Sequence, residues 1–296
     1  MSSLSFDPVA HLYDATRGFP ESVIRQIVTA IEQATNANTQ TRFLEVGVGT
    51  GRFAFPLAAA EHQYTGIDIS EKMLSRLEEK LRAGGWQEKS LSWGSLPDED
   101  TTRNLAVQHF VQPGKQGTMR LAIADMTAIP FHDASFDAVI AIHVFHLVPD
   151  WQKALREVVR VLRPGGMLVR CWEEKWLEDW RPDSRNIKTR WCSIVQELGG
   201  SIEHPGASEQ MVTAWLQQQG FSTQETELMT WQQPQTARAI FEEIAQRAWT
   251  STRLVPDDIF AASLERLRHW IDEQYGDHID EVFTIEKRTV LSRTVV

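Results

Sequence analysis

The sequence predicts an α/β fold with a doubly wound, mostly parallel β-sheet, and three observations support this fold class. Short apolar runs alternate with amphipathic helical segments between residues 42 and 172. Three glycines at every second position interrupt the first apolar run, which is typical of a turn between a strand and a helix. Acidic residues stand at the ends of the first three strands, on the edge where open α/β sheets bind ligands.

The spacing of apolar residues divides the N-terminal half of the chain into an arm, a first helix and a series of alternating strands and helices. Residues 1–20 form a predicted arm, and a helix follows over about Glu21–Ala34, where apolar residues recur at three-to-four spacing. Strands and helices then alternate, so residues 21–172 are expected to form the core of the sheet. The predicted strands of this core are 43–46, 63–67, 119–124, 136–142 and 167–172.

Residues 86–118 do not fit the alternation and are predicted to form an insertion loop. They contain an acidic run at 98–100 and no clear periodicity, apart from a short element over Leu105–Val111. A connection of this length is uncommon in a compact domain, and it usually forms a lid, a binding loop or a disordered segment.

The residues after 172 have a different pattern, in which helices outnumber strands. Two late strands separated by helices predict a hairpin-like sheet edge that carries a helical cap, formed by residues 173–296. With these two strands the predicted sheet has seven, and the whole chain, 1–296, is expected to be one domain. The predicted helices of this part are 184–198, 208–219, 236–249 and 256–274, and its strands are 221–231 and 282–291.

Composition argues against several classes of protein. The net charge of −10 disfavours a nucleic-acid partner, since such partners require clustered lysine and arginine. The two cysteines form no disulfide framework and have no zinc-ligand spacing, so no metal is expected and a reducing cytoplasm is the default. The N-terminus lacks the basic start and apolar run of a signal peptide. The most apolar stretch, 136–148, is too short to span a bilayer.

The glycine-rich turn has the spacing G-x-G-x-G, at Gly47, Gly49 and Gly51. Dinucleotide sites favour G-x-G-x-x-G, and here Arg52 stands where the last glycine of that pattern would be. Glu45 lies inside the end of the preceding strand, where a carboxylate is costly unless a partner is present. The pattern indicates a ligand-binding turn, and a tight turn without a ligand is the alternative.

Two acidic residues at the ends of the next strands could contact a nucleoside. Asp68 could accept hydrogen bonds from both hydroxyls of a ribose, or it could cap a helix, although Ser70 is already a plausible cap. Asp125 could accept a hydrogen bond from an adenine amino group while Ile69 and Met126 enclose the ring, or it could be a turn residue.

Four stretches resemble the class I S-adenosylmethionine-dependent methyltransferases: Leu44–Gly51, Gly66–Ser70, Pro130–Val139 and Leu162–Leu168. The branch with quinone-biosynthesis C-methyltransferases and many small-molecule methyltransferases is the most similar, and the resemblance covers about residues 10–172. It implies a Rossmann-like methyltransferase fold with a cofactor-binding core at 21–172 and S-adenosylmethionine as cofactor. It also implies transfer of a methyl group to a small organic acceptor, through an oxygen, nitrogen or carbon atom that stays open.

The resemblance also implies roles for individual residues. The three glycines would underlie the methionine part of the cofactor, and Tyr13 and Arg17 resemble a tyrosine and an arginine that close over the cofactor and meet its carboxylate. Asp68 would bind the ribose, and Asp125 would lie at the adenine. The predicted cofactor-binding residues are Tyr13, Arg17, Glu45, Gly47, Gly49, Gly51, Asp68, Ile69, Met73, Asp125, Met126 and His143.

The residues after the fourth and fifth strands are candidates for the methyl-acceptor side. A general base is needed only if the nucleophile must lose a proton, and His146 is the candidate, with a packed histidine as the alternative. His143 is placed mostly in the cofactor shell. Trp172, Glu173 and Trp176 are predicted to contact the substrate through aromatic faces and charge, or else to pack the cap.

Two other functions remain open. One is a cofactor-binding but non-catalytic subunit or regulator, whose cap binds a protein. The other is a nicotinamide-dependent oxidoreductase, which the glycine spacing and Asp125 disfavour. The expected partner is a small molecule, with no nucleic acid and no membrane span, in a monomer or homodimer.

Overall fold

The computed structural model describes residues 5–16, 18–89, 107–175 and 187–296, and the strands in these residues form one nine-stranded sheet. The order across the sheet is β3-β4-β5-β2-β1-β6-β7-β9-β8. The strands are β1 (Arg42–Val46), β2 (Gln63–Asp68), β3 (Gln87–Glu88), β4 (Val107–Val111), β5 (Thr118–Ile123), β6 (Phe136–Ile142), β7 (Leu162–Lys175), β8 (Ser222–Gln235) and β9 (Phe283–Val295).

Helices connect these strands, and four 3₁₀ helices lie in the described residues, at Asp7–Leu12, Met126–Ala128, Phe145–Leu147 and Gly276–His278. The α-helices described are α1 (Tyr13–Thr16), α2 (Glu21–Thr35), α3 (Ala54–Ala59), α4 (Glu71–Ala83), α5 (Trp151–Val161), α6 (Ile187–Glu197), α7 (Glu209–Gln218), α8 (Ala237–Ala245), α9 (Thr250–Leu254) and α10 (Asp257–Tyr275). Among the helices that the structure describes, none combines the length and the apolar composition needed to cross a membrane.

The central strands are buried on both faces. In β6, Ile140 packs into the core shared with α2, α3 and α4, whereas Val139 and Ala141 pack into the core shared with α5 and α7. Successive residues of a strand point to opposite faces, so a strand covered on both sides reads as a continuous apolar run. This double burial explains why β6 and β2 were predicted from composition with little error.

The parallel strands bring several loops to one edge of the sheet. β2 and β6 run parallel to β1, β5 runs parallel to β2, and β7 runs parallel to β6. The chain order reverses between β1 and β6, because β2 lies on one side of β1 and β6 on the other. Ligands bind at such a switch point, outside the carboxyl ends of the strands. The loops after β1, β2, β5 and β6 therefore surround one crevice.

The prediction of seven strands is wrong, because the ends of the 86–118 segment add two. β4 pairs antiparallel with β5, and β3 pairs antiparallel with β4. The predicted element over Leu105–Val111 is confirmed by β4, while residues 90–106 lie outside the described part. Both added strands are short and at the edge of the sheet, and most of their side chains are not buried. The alternation of apolar and polar residues that indicates a strand is therefore weak in β3 and β4.

A second set of helices lies between β8 and β9 in the chain. We call residues 236–282 the helical insertion; it contains α8, α9 and α10, and it shares an apolar core with α6. In this core the indole N–H of Trp191 donates to the hydroxyl of Ser263 at 3.0 Å. β8 and β9 pair antiparallel along their whole length, so the insertion is anchored to the sheet at both ends. The predicted helix 236–249 is shorter in the structure, because Arg247 has a left-handed backbone with φ 51°.

Candidate functional site

The glycine-rich turn after β1 requires its glycines for two reasons. Gly47, Gly49 and Gly51 have φ values of 74°, 56° and 76°, which side chains with a Cβ adopt at a cost. A Cβ on Gly47 would lie 2.7 Å from Val144 Cγ2, and a Cβ on Gly51 would lie 2.2 Å from Leu77 Cδ1. The turn is therefore pressed against the loop after β6 on one side and against α4 on the other.

Asp68 at the end of β2 holds this turn in place. One carboxylate oxygen accepts a hydrogen bond from the Gly49 backbone N–H at 2.8 Å, and the other accepts from the Ser70 N–H at 2.8 Å. Burial raises the pKa of Asp68, and these backbone donors counteract the rise. Ser70 caps α4 by accepting from the Met73 N–H, as the sequence predicted. Asp68 thus joins the turn, the end of β2 and the start of α4.

The end of β5 forms a second acidic corner. One carboxylate oxygen of Asp125 accepts from the Thr127 N–H at 2.8 Å and so caps the following 3₁₀ turn. Asp125 nevertheless lines the same crevice as Asp68, together with Ile69 and the buried Met126. Asp125 is therefore a turn residue, which was one of its two alternatives, and its contact with adenine stays a prediction.

The loop after β6 carries two histidines in the crevice wall. His143 has φ 54°, an unusual value for a non-glycine residue, and its ring stacks on Phe19 with centroids 6.3 Å apart. The His146 ring meets the edge of the His204 ring at 4.9 Å. His204 arrives there because the Gly206 N–H donates to the His146 carbonyl at 3.1 Å. No sequence pattern pointed to His204, since it lies far along the chain from His146.

The N-terminal arm covers the crevice and is bound to the core by its acidic residues. Asp7 accepts a hydrogen bond from the Ser70 hydroxyl and one from the Lys72 N–H. Asp14 accepts from the Thr50 hydroxyl at 2.6 Å and forms an ion pair of 2.7 Å with Lys80. These bonds hold the arm against α4 and the glycine-rich turn.

A pocket lies between the arm and the four loops, and it brings most of the predicted residues together. The predicted cofactor-binding residues in its wall are Tyr13, Gly47, Gly49, Asp68, Ile69, Met73, Asp125, Met126 and His143. The predicted base, His146, also lines it. Other wall residues that no motif indicated are Phe6, Ala124, Ile142, Val144, Leu147 and Val148. Apolar residues of this kind show no distinctive spacing, because the fold alone makes them neighbours.

Two predicted cofactor residues do not reach the pocket wall. Gly51 faces Leu77 of α4. Glu45 is 4% exposed and shares a face of β1 with Phe43, so its carboxylate points into the core, where it accepts from the Tyr64 hydroxyl at 2.7 Å. Burial raises the pKa of Glu45 to about 8. Glu45 thus lies beneath the turn, and its predicted role in cofactor binding stays a prediction.

Arg52 occupies a position that the sequence pattern left without a role. Its guanidinium carbon lies 5.5 Å from the ring centroid of Tyr13 and 5.0 Å from that of Phe19. Its Nη2 atom is buried and has no hydrogen-bond partner among the residues that the structure describes. A buried donor without a partner is costly, so this nitrogen suits an acceptor that a ligand brings.

The predicted substrate residues of β7 lie away from the pocket wall. The Trp172 indole N–H donates to Glu174 at 3.2 Å, and the Arg170 guanidinium lies 5.6 Å from its ring. Glu173 forms an ion pair of 3.5 Å with Lys287. Both residues therefore have partners within the sheet. Trp176, predicted to contact the substrate, and Arg17, predicted to bind the cofactor, lie outside the described residues.

Comparisons with known proteins point to one class of domain. Residues 44–170 match the family model described as a methyltransferase domain. The chain is 32% identical over 128 residues to a phosphatidylethanolamine N-methyltransferase of Cereibacter sphaeroides, covering 43% of this chain and 48% of that protein. It is 28% identical over 172 residues to a ubiquinone/menaquinone biosynthesis C-methyltransferase of Geotalea daltonii, covering 55% and 59%. The chain thus spans about half the length of these relatives.

Solved structures share the fold at low sequence identity. The [4+2]-cyclase SpnF superposes with a TM-score of 0.53 at 16% identity, covering 98% of this chain and 93% of that chain. A phosphoethanolamine N-methyltransferase 2 of Haemonchus contortus superposes with a TM-score of 0.52 at 16% identity, covering 98% of this chain and 57% of that chain. At these identities the likeness is one of fold.

We expect the Glu45→Gln variant to unfold with a different pH dependence from the wild type. The pKa of Glu45 is raised in the folded protein, so its stabilising share is complete below the unfolded pKa and is lost as the pH rises through about 8. Glutamine does not titrate and can still accept from Tyr64. Between about pH 5 and about pH 9 the unfolding free energy of the wild type should fall by roughly 4 kcal/mol relative to the variant.

The measurement is urea unfolding at a series of pH values. Glu265→Gln, at an exposed position on α10, is the control. Parallel pH curves for the wild type and Glu45→Gln would show that the Glu45 carboxyl is not held neutral in the folded protein.

Proposed function

We propose, from its class I S-adenosylmethionine-dependent methyltransferase fold and its methyltransferase domain at residues 44–170, that the chain transfers a methyl group from S-adenosylmethionine to a small organic acceptor. The observation that carries the proposal is the pocket at the switch point of the sheet. Its wall combines a glycine-rich turn, two carboxylates at strand ends and an aromatic arm. This set suits a ligand with an amino-acid end and a nucleoside end.

The residues of the wall fit the parts of this cofactor. Asp68 would accept from the ribose hydroxyls, and Asp125, beside Ile69 and Met126, would hold the adenine. The Nη2 of Arg52 lacks a hydrogen-bond partner among the described residues and lies beside the Tyr13 ring; it supports a carboxylate at the methionine end, because an anionic acceptor would satisfy it. The bound cofactor supplies a methyl group on a sulfonium, which makes transfer an in-line displacement.

The chain itself contributes position, a dry surface and, where needed, a base. Val144, Leu147 and Val148 give the wall an apolar side next to the histidines, and the arm shields it from water. His146 lies in this wall and is our candidate for removing a proton from the acceptor. His204 touches the His146 ring and would orient it.

We infer that residues 173–296, the predicted cap, contribute to acceptor binding. Trp172 and Glu173 in the last part of β7, and Trp176 from the sequence, remain our candidates for contacting the acceptor. Relatives named as a phosphatidylethanolamine N-methyltransferase and a ubiquinone/menaquinone biosynthesis C-methyltransferase support an organic molecule as the acceptor. We place the protein in the cytoplasm as a monomer or homodimer, with residues 1–20 as the arm and 21–172 as the cofactor-binding core.

The proposal is tested by calorimetry with S-adenosylmethionine, S-adenosylhomocysteine and NAD. We expect the first two to bind and NAD not to bind. A screen with methyl-labelled cofactor against quinols, amines and phenols should then find a labelled product. Binding of NAD alone would refute the proposal, and tight cofactor binding without transfer to any pool would favour a regulator.

We expect Asp68→Asn to weaken the binding of S-adenosylhomocysteine by at least about tenfold, because hydrogen bonds to the ribose hydroxyls are lost. Asp68 also holds the Gly49 and Ser70 N–H groups, so the variant disturbs the turn as well. An analogue without the ribose hydroxyls separates the two effects. Its affinity should fall much less in the variant, as measured by calorimetry.

The control is Asp133→Asn, at an exposed acidic residue that pairs with Arg160. Equal losses of affinity for both ligands in Asp68→Asn would assign Asp68 to the turn alone.

We expect His146→Gln to lower kcat by about 100-fold or more, if the acceptor found in the label screen loses its proton during transfer. The affinity for S-adenosylhomocysteine should change far less, since the change lies on the acceptor side. Steady-state rates across pH and calorimetry provide the two readouts. His269→Gln, at an exposed histidine of α10, is the matched control. A kcat and pH profile like those of the wild type would exclude His146 as the base.

A further inference from the structure

The helical insertion touches the N-terminal arm through Arg253. Arg253 of α9 donates from Nη2 to the carbonyl oxygen of Ser5 at 2.6 Å. Its guanidinium carbon also lies 4.9 Å from the centroid of the Phe6 ring. The two contacts bind the arm at consecutive residues, one through the backbone and one through the ring.

Phe6 connects these contacts to the pocket. Its side chain is 8% exposed and lines the pocket, where the ring meets Tyr13 edge to face with centroids 5.7 Å apart. It also packs with Met73 and Leu147, two further wall residues, in a small apolar cluster of the arm. A shift of Phe6 would therefore open the wall at the arm.

The position of Arg253 is fixed from within the helical insertion. The Arg247 guanidinium donates to the carbonyl oxygens of Thr252 and Val255, at 3.2 and 3.1 Å. These two residues flank Arg253, and both are buried. Arg247 also pairs with Asp257 at the start of α10. Arg253 thus lies in a backbone segment that Arg247 already fixes. This limits the conformational entropy that is lost when Arg253 holds the arm.

The arm is bound from two directions. The core holds it through Asp7, which accepts from Ser70 and Lys72, and through Asp14, which binds Thr50 and Lys80. The helical insertion holds its first described residues through Arg253. Arginine suits this contact, because one planar cation can donate to a carbonyl while it lies against an aromatic face.

We propose that Arg253 is a positioning residue for the cofactor pocket: it holds Phe6 against the wall and so makes the helical insertion part of the closure over the cofactor. The inference rests on the proposed function for the identity of the ligand, S-adenosylmethionine or S-adenosylhomocysteine. Arg253 acts through Phe6. Replacement of Arg253 loosens the arm, so the bound cofactor dissociates faster.

The test compares Arg253→Gln with Arg268→Gln in the intact chain. Arg268 lies in the same insertion and places its guanidinium 5.3 Å from the Phe241 ring centroid, which makes it a matched control. Hydrogen exchange of the amides of residues 5–16 is measured on the free protein, and the affinity and release rate of S-adenosylhomocysteine are measured by calorimetry and stopped flow. For Arg253→Gln we expect about tenfold faster exchange in the arm and about tenfold weaker binding, mostly through the release rate.

Phe6→Ala and the double variant decide whether the effect passes through Phe6. Phe6→Ala alone should weaken binding to about the same extent as Arg253→Gln. The double variant should bind little more weakly than either single variant, because each substitution removes the same contact between Arg253 and Phe6. Additive losses would overturn the proposal, as would an Arg253→Gln protein that matches Arg268→Gln in exchange and release. If the wild type binds neither S-adenosylmethionine nor S-adenosylhomocysteine, the proposed function fails, and the exchange rates of the free protein still decide whether Arg253 holds the arm.

Discussion

The hydrogen bond from the Gly49 N–H to the Asp68 carboxylate is the contact on which the pocket depends. The turn contains three left-handed glycines and would be mobile without a fixed partner. Asp68 supplies that partner and uses its other oxygen for the Ser70 N–H, at the start of α4. The Ser70 hydroxyl in turn donates to Asp7 of the arm. Asp68 and Ser70 thereby link the glycine-rich turn, the start of α4 and the N-terminal arm, which together surround the pocket.

The charges around this contact indicate the kind of ligand that the pocket favours. Glu45 is buried and Asp68 is partly buried, and the charge of Asp68 adds to the rise in the pKa of Glu45. Arg52 lies close enough to lower that pKa, yet it keeps a buried nitrogen without a partner in the described residues. The carboxylates of Asp68 and Asp125 in the wall favour a cationic ligand, and the buried Arg52 nitrogen favours an anionic group. A zwitterionic ligand with a sulfonium meets both conditions, which supports the proposed cofactor over a dinucleotide with two phosphates.

The sequence predicted the parts of this molecule that depend on local pattern. β6 is an apolar run buried on both faces, and β2 is a short strand with a buried centre. Asp68 and Asp125 stand at strand ends, so their positions in the sequence predicted one shared edge. Phe6, His204 and Arg253 were missed because they reach the site from distant parts of the chain, and no periodicity records such a meeting. Glu45 illustrates a different limit. Its proximity to the glycines was visible in the sequence, but the direction of its side chain depends on the alternation of β1, which turns it toward Tyr64.

The fold alone does not determine the reaction, since a [4+2]-cyclase has a similar one. The helical insertion is anchored by β8 and β9 at both ends, packs on α6 and reaches the arm through Arg253. The core holds the same arm through Asp7 and Asp14, so the cover of the pocket is held by contacts from two distant parts of the chain. What the pocket encloses therefore depends on side chains that these segments bring together, and not on the sheet alone.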